Sequence, residues 1–501
     1  MHSSWWLNAL IVWPFVAAGL IAVLRVSSVK FLAVAFAAIE AAIAVLVWCG
    51  YRGNLALSGT GGADYVSHTW WARSLGLAHS VGVDGISLLM VVLTAIVALL
   101  ALAGTTAAHH ERSYSAWLLI LVGASMGAFV TRDLMEFFLF FELTLIPSYF
   151  LISRWGGKDA TRAALKFFIY TLFGSGFLLV GAIYLAVRHY DQTGILSFDY
   201  AALHGTVITT AASVWVMVGF LIAFGVKSPL WPLHTWSPLA YAEAPTAGSM
   251  MLSAILAKLG TYGLLRFGVL MLPGAVPHVA PYVLTLAVVG ILYGSALAAV
   301  SKDLKRLVAY SSLAQVGFIM LGLFSQSATA ISGSVLLMFN HGVITAAFFL
   351  LIGGLEKRRG TSLISDLRGL QGPAPVLAGI FTVVMLASIG VPGLSGFVSE
   401  CLVLAGTFAT HPWWSVVATT GVIFAALYLL WAYQRVFHGL AEGENAQIAD
   451  ATTAEKIALA PLIALIVVLG IYPQVALSRA SHSVNSQAPA TWVTDSTGQV
   501  K

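Results

Sequence analysis

The chain is written in long apolar runs separated by short polar ones, not in the two-residue alternation of half-buried strands. About 20 apolar residues in helical form cross the hydrocarbon of a bilayer. Runs of that size recur at residues 4–24, 28–50, 84–106, 115–131, 134–153, 163–187, 208–231, 247–271, 278–299, 306–324, 329–355, 376–400, 412–437 and 456–475. The pattern predicts an all-α integral membrane protein, one membrane domain over residues 1–501 with about 14 transmembrane helices. The longest stretches between runs, roughly 51–83 and 476–501, read as an outer-surface loop and tail, and 438–455 as an acidic loop on the opposite face.

Two runs carry breakers in mid-span. GVKSPLWPLHTW places Pro229 and Pro232 just after Lys227, and SIGVPGLSGFVSE places Pro392, Gly393 and Gly396 before Glu400. Proline removes a backbone donor and clashes with the preceding turn. In lipid the freed carbonyls are tolerated only inside protein or beside a wet cavity. The breaks fall in the seventh and twelfth helices, so residues 115–271 and 278–437 form two five-helix units. Five crossings are odd, which makes the second unit inverted relative to the first. Paired broken helices at matching positions point to a transport path at the repeat interface.

Composition agrees with the pattern and narrows it. The chain is 59% hydrophobic and 9% charged, against about 25% charged in soluble domains. The net charge of +5 is small and its basic residues sit in short loops, which argues for membrane topology and against nucleic acid. Sixteen Lys and Arg residues, among them Arg25, Lys158, Lys302 and Arg359, fall on one side and seven, among them Arg52, Arg132, Arg188 and Lys501, on the other. The first side is expected to be cytoplasmic, with both termini on the outer side of a cell membrane, most simply a bacterial plasma membrane. The first run has no basic segment before it and no small-residue cleavage site, so it is expected to be a retained helix. Cys49 and Cys401 stand alone, and no CxxC pair, phosphate loop, HExxH or GxSxG occurs. The chain itself is expected to bind no nucleotide, flavin, metal or iron–sulfur cluster.

Against this background four charges are out of place. Glu142, Lys227, Lys258 and Glu400 lie inside apolar runs, where a charge costs roughly 2.5–3.5 kcal/mol on insertion scales. Glu142 and Lys227 could be a snorkelling carboxylate and a structural ion pair, and Glu400 could cap the outer end of its helix. Lys258, halfway along SMMLSAILAKLGTYGLLRF, has no loop within reach. Together they suggest a buried proton or ion route. His341, at the head of HGVITAAFFLLIGGL, and His234, beside the first break, are possible relay groups, each also readable as a hydrogen-bonded or loop histidine. Asp133 and Glu136 sit at a helix end and read as interface charges.

Four blocks, FFELTLIPSYFLISRWGG, KSPLWPLHTW…EAPTAGSMMLSAILAKLGTYGLLRF, DLKRLVAYSSLAQVGF and PGLSGFVSE, resemble the antiporter-like subunits of respiratory complex I over roughly residues 80–440. The resemblance implies a proton-translocating subunit of an NADH:quinone oxidoreductase, with NADH, FMN, iron–sulfur clusters and quinone held by other subunits. It implies partnership with other membrane subunits, including sibling antiporter-like ones. Glu142 and Lys227 match the family's carboxylate–lysine pair, Lys258 its central lysine, His341 the histidine joining the two half-channels, and Glu400 its terminal acidic residue. Sibling and Mrp antiporter subunits typically carry lysine at that last position. The alternative is a subunit of a multi-protein cation/proton antiporter or membrane-bound hydrogenase. The chain departs from the pattern at Trp236–Tyr241, where an acidic residue and a histidine are missing, and at Gln315, where a histidine often stands. The link from Lys258 to His341 is therefore expected to use water or hydroxyls such as Ser311 and Ser312.

Overall fold

The computed structural model describes residues 4–24, 28–53, 63–105 and 109–493. Arg25 and Lys501, two of the residues counted for orientation, lie outside the described residues, as does the end of the predicted tail. The helices are α1 (Trp5–Val23), α2 (Val29–Gly50), α3 (Gly85–Gly104), α4 (Glu111–Val130), α5 (Leu134–Leu143), α6 (Leu145–Trp155), α7 (Ala160–Thr193), α8 (Tyr200–His204), α9 (Thr210–Lys227), α10 (Ser237–Glu243), α11 (Thr246–Met251), α12 (Ala257–Gly263), α13 (Val276–Val300), α14 (Leu304–Leu323), α15 (Ala328–Arg359), α16 (Pro375–Ile389), α17 (Ser395–Thr410), α18 (Pro412–Phe437), α19 (Thr453–Ile471) and α20 (Gln474–Gln487). Among the described residues, 13 helical stretches are long and apolar enough to cross a membrane, with α5–α6 and residues 246–269 each counted once. The shorter α16 and α17 together make the remaining crossing, so the sequence pattern and the fold agree on the helices.

The helices differ in burial. The most apolar 18 residues of Thr246–Val269 and of α15 are all buried, whereas α2 keeps most of its surface outward. α15, with its small and apolar residues all round, is therefore the spine of the bundle, as expected for a helix without a polar face. Both expected breaks are present. α9 stops at Lys227 and the chain turns through Pro229 and Pro232 before α10, while α16 ends at Gly390 and α17 restarts at Ser395. The first broken helix starts from one face and the second from the other.

Two loop expectations are corrected. Residues 64–83 form an antiparallel hairpin, β1 (Asp64–Ala72) and β2 (Leu77–Val83), turned by Gly76 at φ +69°. Residues 474–487 form α20, which packs on α3 and α15. The hairpin register slips between Asp64 and Ser67 and again between Trp70 and Ala72, so no clean alternation marks it in the sequence. These two elements cover the same face. Ser483 of α20 accepts from Gly85 N at 2.7 Å, and His79 of β2 meets Asn8 of α1 at 2.9 Å. The described parts of both chain ends thus sit together.

Candidate functional site: a buried polar axis

The first cluster forms where two helices break. Pro147 has no N–H for the carbonyl of Leu143, and α5 gives way to α6 at Thr144. The Thr144 hydroxyl donates to Phe141 O at 2.7 Å and accepts from Lys227 Nζ at 2.7 Å. Lys227 is the last residue of α9, so its ammonium stands at the negative end of a helix dipole. It also lies 4.6 Å from the Phe141 ring centroid, a cation–π contact. Trp236 Nε1 donates to Val226 O at 2.8 Å, recovering a carbonyl freed by the break. Glu142 is close enough to feel the Lys227 charge, but Oε1 is buried without a hydrogen-bond partner and no ion pair joins the two among the described residues. Lys227 is held by Thr144 instead.

The centre is built on wide helical turns. Leu252–Leu256 and Leu264–Val269 are π-helical and flank α12. A π turn displaces the usual i→i−4 ladder, and Lys258 Nζ donates to the Ser253 carbonyl at 2.7 Å. The same nitrogen lies 2.7 Å from His341 Nδ1, on the spine helix α15. Both side chains are buried, and His341 Nε2 has no hydrogen-bond partner among the described residues. Gly260 lets this stretch close on the first break: a Cβ there would sit 2.1 Å from Ser228 Oγ and 2.8 Å from Phe224 O.

The second break holds the third cluster. Gly390 takes φ +82°, and a Cβ there would meet Glu400 Oε2 at 2.4 Å, so glycine is required on both counts. Glu400 lies inside α17, 5% exposed, and Oε1 accepts from Gln315 Nε2 at 2.8 Å. It does not snorkel or cap the outer end of its helix. Asn340, the residue before His341, donates to Ser395 O at 2.7 Å and to Ser399 Oγ at 3.3 Å. Three buried polar pairs thus lie on neighbouring helices: Lys258 with His341, Asn340 with Ser399, and Gln315 with Glu400.

The expected relay changes in detail. Lys258 and His341 touch directly, so the hydroxyl bridge expected from Gln315 is not needed there. Ser312 faces Ser253 at 3.3 Å, and Ser311 accepts from Tyr428 at 2.7 Å. His234 is buried in the turn after the first break, with Nδ1 unpartnered and its ring against Tyr293. Thr144 and Asn340 were missed by sequence reasoning. Pro147 just beyond Thr144, and an amide in the apolar run around Asn340, were the available signals.

A cavity of about 800 Å³ opens at the face where Lys305, Lys357 and Arg358 cluster; its lining includes Thr246 and Gly353, each about 18 Å along its helix from Lys258 and His341. Lys305 pairs with Glu356 at 2.6 Å and Arg358 with Glu455 at 2.5 Å at its rim. Among the described residues no group of three or more His, Cys, Asp and Glu is placed to hold a metal ion.

Comparison with known proteins decides what this arrangement belongs to. The family described as "NADH:quinone oxidoreductase/Mrp antiporter, TM" matches residues 131–425. The NADH-quinone oxidoreductase subunit M of Rhodobacter capsulatus is 39% identical over 434 residues, 84% of each chain. The chain belongs to the subunit M family. A family member from Mycobacterium tuberculosis is 34% identical and spans 97% of this chain and 94% of its own. A chain of respiratory complex I from Thermus thermophilus with bound NADH superposes at TM-score 0.86 with 28% identity, covering 96% of this chain and all of that one. The family match begins just before Glu142 and ends beyond Glu400, so it encloses every charged residue of the axis.

Proposed function

We propose that this subunit carries protons through the axis described above, within a respiratory NADH:quinone oxidoreductase whose redox centres lie in other subunits. The observation that carries the proposal is the direct contact of Lys258 with His341 in a wholly buried setting. Two nitrogen bases at hydrogen-bond distance share one proton between them, and among the described residues neither is paired with a counter-charge. The cavity at the basic face supplies protons from below. Lys227 acts on this centre by exchanging partners: on Thr144 it leaves Glu142 to the Ser175 hydroxyl, and on Glu142 its charge is neutralised. From His341 the proton passes by Asn340 and Ser399 to Glu400. The basic face is the cytoplasmic one, and other membrane subunits of the complex, including sibling antiporter-like ones, adjoin the chain.

The test is Lys258→Ala in the assembled complex. Proton pumping should fall by roughly 10²-fold or more, coupled quinone reduction should fall with it, and NADH oxidation by an artificial acceptor should persist. Full pumping by that variant would overturn the proposal.

A further inference from the structure

A fifth charge in the membrane interior belongs to neither break. Glu40 lies near the middle of α2, 1% exposed, and neither carboxyl oxygen has a hydrogen-bond partner among the described residues. It follows Ala33 and Ala37 on the buried stripe of α2, whose opposite side is lined by exposed Phe31, Ile39, Val45 and Leu46. A carboxyl that merely needed a polar environment would sit on the outward side near a helix end; this one is turned inward at mid-depth.

Three contacts fix what it faces. Tyr51, after the outer end of α2, and Gly85, at the start of α3, both meet Ser483. Ten residues along each helix, about 15 Å in, bring Glu40 level with Leu93–Ala95 of α3. On its other side α3 touches the centre of the axis: a Cβ on Gly342, the neighbour of His341, would meet Leu93 Cδ2 at 2.6 Å. Glu40 is therefore at the depth of the Lys258–His341 pair, with α3 between them. On the α1 side, Trp13 Nε1 donates to Phe36 O at 3.0 Å and sets the register. Pro14 is interior to α1, so the buried carbonyl of Leu10 lacks its helical donor, and that carbonyl falls one turn outward, at the level of Glu40. α1 and α3 carry no charged residue, and those of α4, Glu111 and Arg112, lie at its first turn.

We propose that Glu40 is a further proton-binding residue of this subunit, acting across α3 on the Lys258–His341 pair. A proton from water joins a carboxyl oxygen and later leaves it to water, and no other bond changes. With the proton on, the carboxyl is neutral in its apolar surroundings; with it off, α2 carries an uncompensated negative charge that favours the proton staying on the Lys258–His341 pair. Lys30, one face of the basic cavity, is ten residues away on the same helix.

The inference rests on the proton route through Lys258, and the experiment separates the two. Glu40→Gln, Glu40→Asp and Lys258→Ala would be compared in membrane vesicles containing the whole complex, with subunit content and artificial-acceptor activity as assembly controls. Glu40→Gln, which keeps size and hydrogen bonding, should lose about fivefold of NADH-driven pumping, and Glu40→Asp should recover most of it. A hydrophobic carbodiimide should modify Glu40 in the native complex, read by peptide mapping. Native pumping in Glu40→Gln alongside failure in Lys258→Ala would overturn this inference and leave the axis standing. No recovery in Glu40→Asp, or no modification at Glu40, would also count against it. Native pumping in Lys258→Ala would remove the axis itself.

Discussion

At the scale of single residues, the site is decided by which acceptor a buried amine finds. Lys227 has Thr144 and aromatic faces; Lys258 has a carbonyl and an imidazole. Thr144→Val removes the only hydrogen-bond acceptor of Lys227 among the described residues. It should cost about 1.5–3 kcal/mol, the range for a hydrogen bond to a charged group, seen as a lower unfolding temperature of the purified complex and slower pumping; Thr144→Ser should restore both. The charged members of the axis were legible in the sequence because each is costly in an apolar run. Thr144 and Asn340 were not, because hydroxyls and amides are common in membrane helices and satisfy themselves on nearby backbone. The Ser253 carbonyl was invisible for another reason: its availability comes from a π turn, and no side chain announces one.

At the scale of elements, close approach and buried pairing hold the axis in register. Gly260→Ala would drive a methyl against Ser228 Oγ and the backbone at Phe224. Overpacking of this kind costs typically 1–3 kcal/mol, and adding Ser228→Ala should recover only part of it because the backbone oxygen remains. Stability of the two variants and the pair of them together checks this. Further along, Arg266 bonds Asp84 at 2.5 Å and Gln487 at 2.8 Å, tying the end of the Lys258 helix to α3 and α20. Burial of Asp84 opposes ionisation, but the Arg266 guanidinium, with the Ser87 and Gln487 donors, holds its carboxyl at about 2. Arg266→Ala would leave a buried unpaired carboxylate, a loss of about 3–5 kcal/mol, measurable as release of the subunit from the complex at lower detergent or temperature. The broken helices were legible from Pro and Gly. The hairpin and α20 were not, since bulges erase the strand alternation and α20 is too polar to stand out from a tail.

At the scale of the whole molecule, the covered face carries a tie that depends on acidity. His79 Nδ1 lies 2.6 Å from Glu136 Oε1 and Nε2 lies 2.9 Å from Asn8 Oδ1, joining the hairpin to α5 and α1. The hydrogen bond to Glu136 holds the imidazole above its usual range, against a smaller opposing effect of burial. A raised value means the tie is complete below about pH 6.5 and is lost as pH climbs through the raised value. Amide exchange across residues 64–83, corrected for intrinsic rates, should therefore quicken on the alkaline side, and His79→Gln should remove that dependence.

Glu400 differs in kind from the amines upstream of it. Lysine is a cation when it holds a proton, whereas a carboxyl group is neutral when it does. On the proposed route, a proton that leaves the Lys258–His341 pair for an ionised Glu400 erases two opposite charges, so the last interior step is a recombination, as between an acid and its base in a poorly solvating medium. With Glu400→Lys the same step would only relocate a cation, and forward transfer would lose that bias. The rate of pumping against a fixed imposed membrane voltage should then be lower than in the native subunit. On the proposed route the final carboxyl makes the last interior step a loss of charge, not a relocation of it.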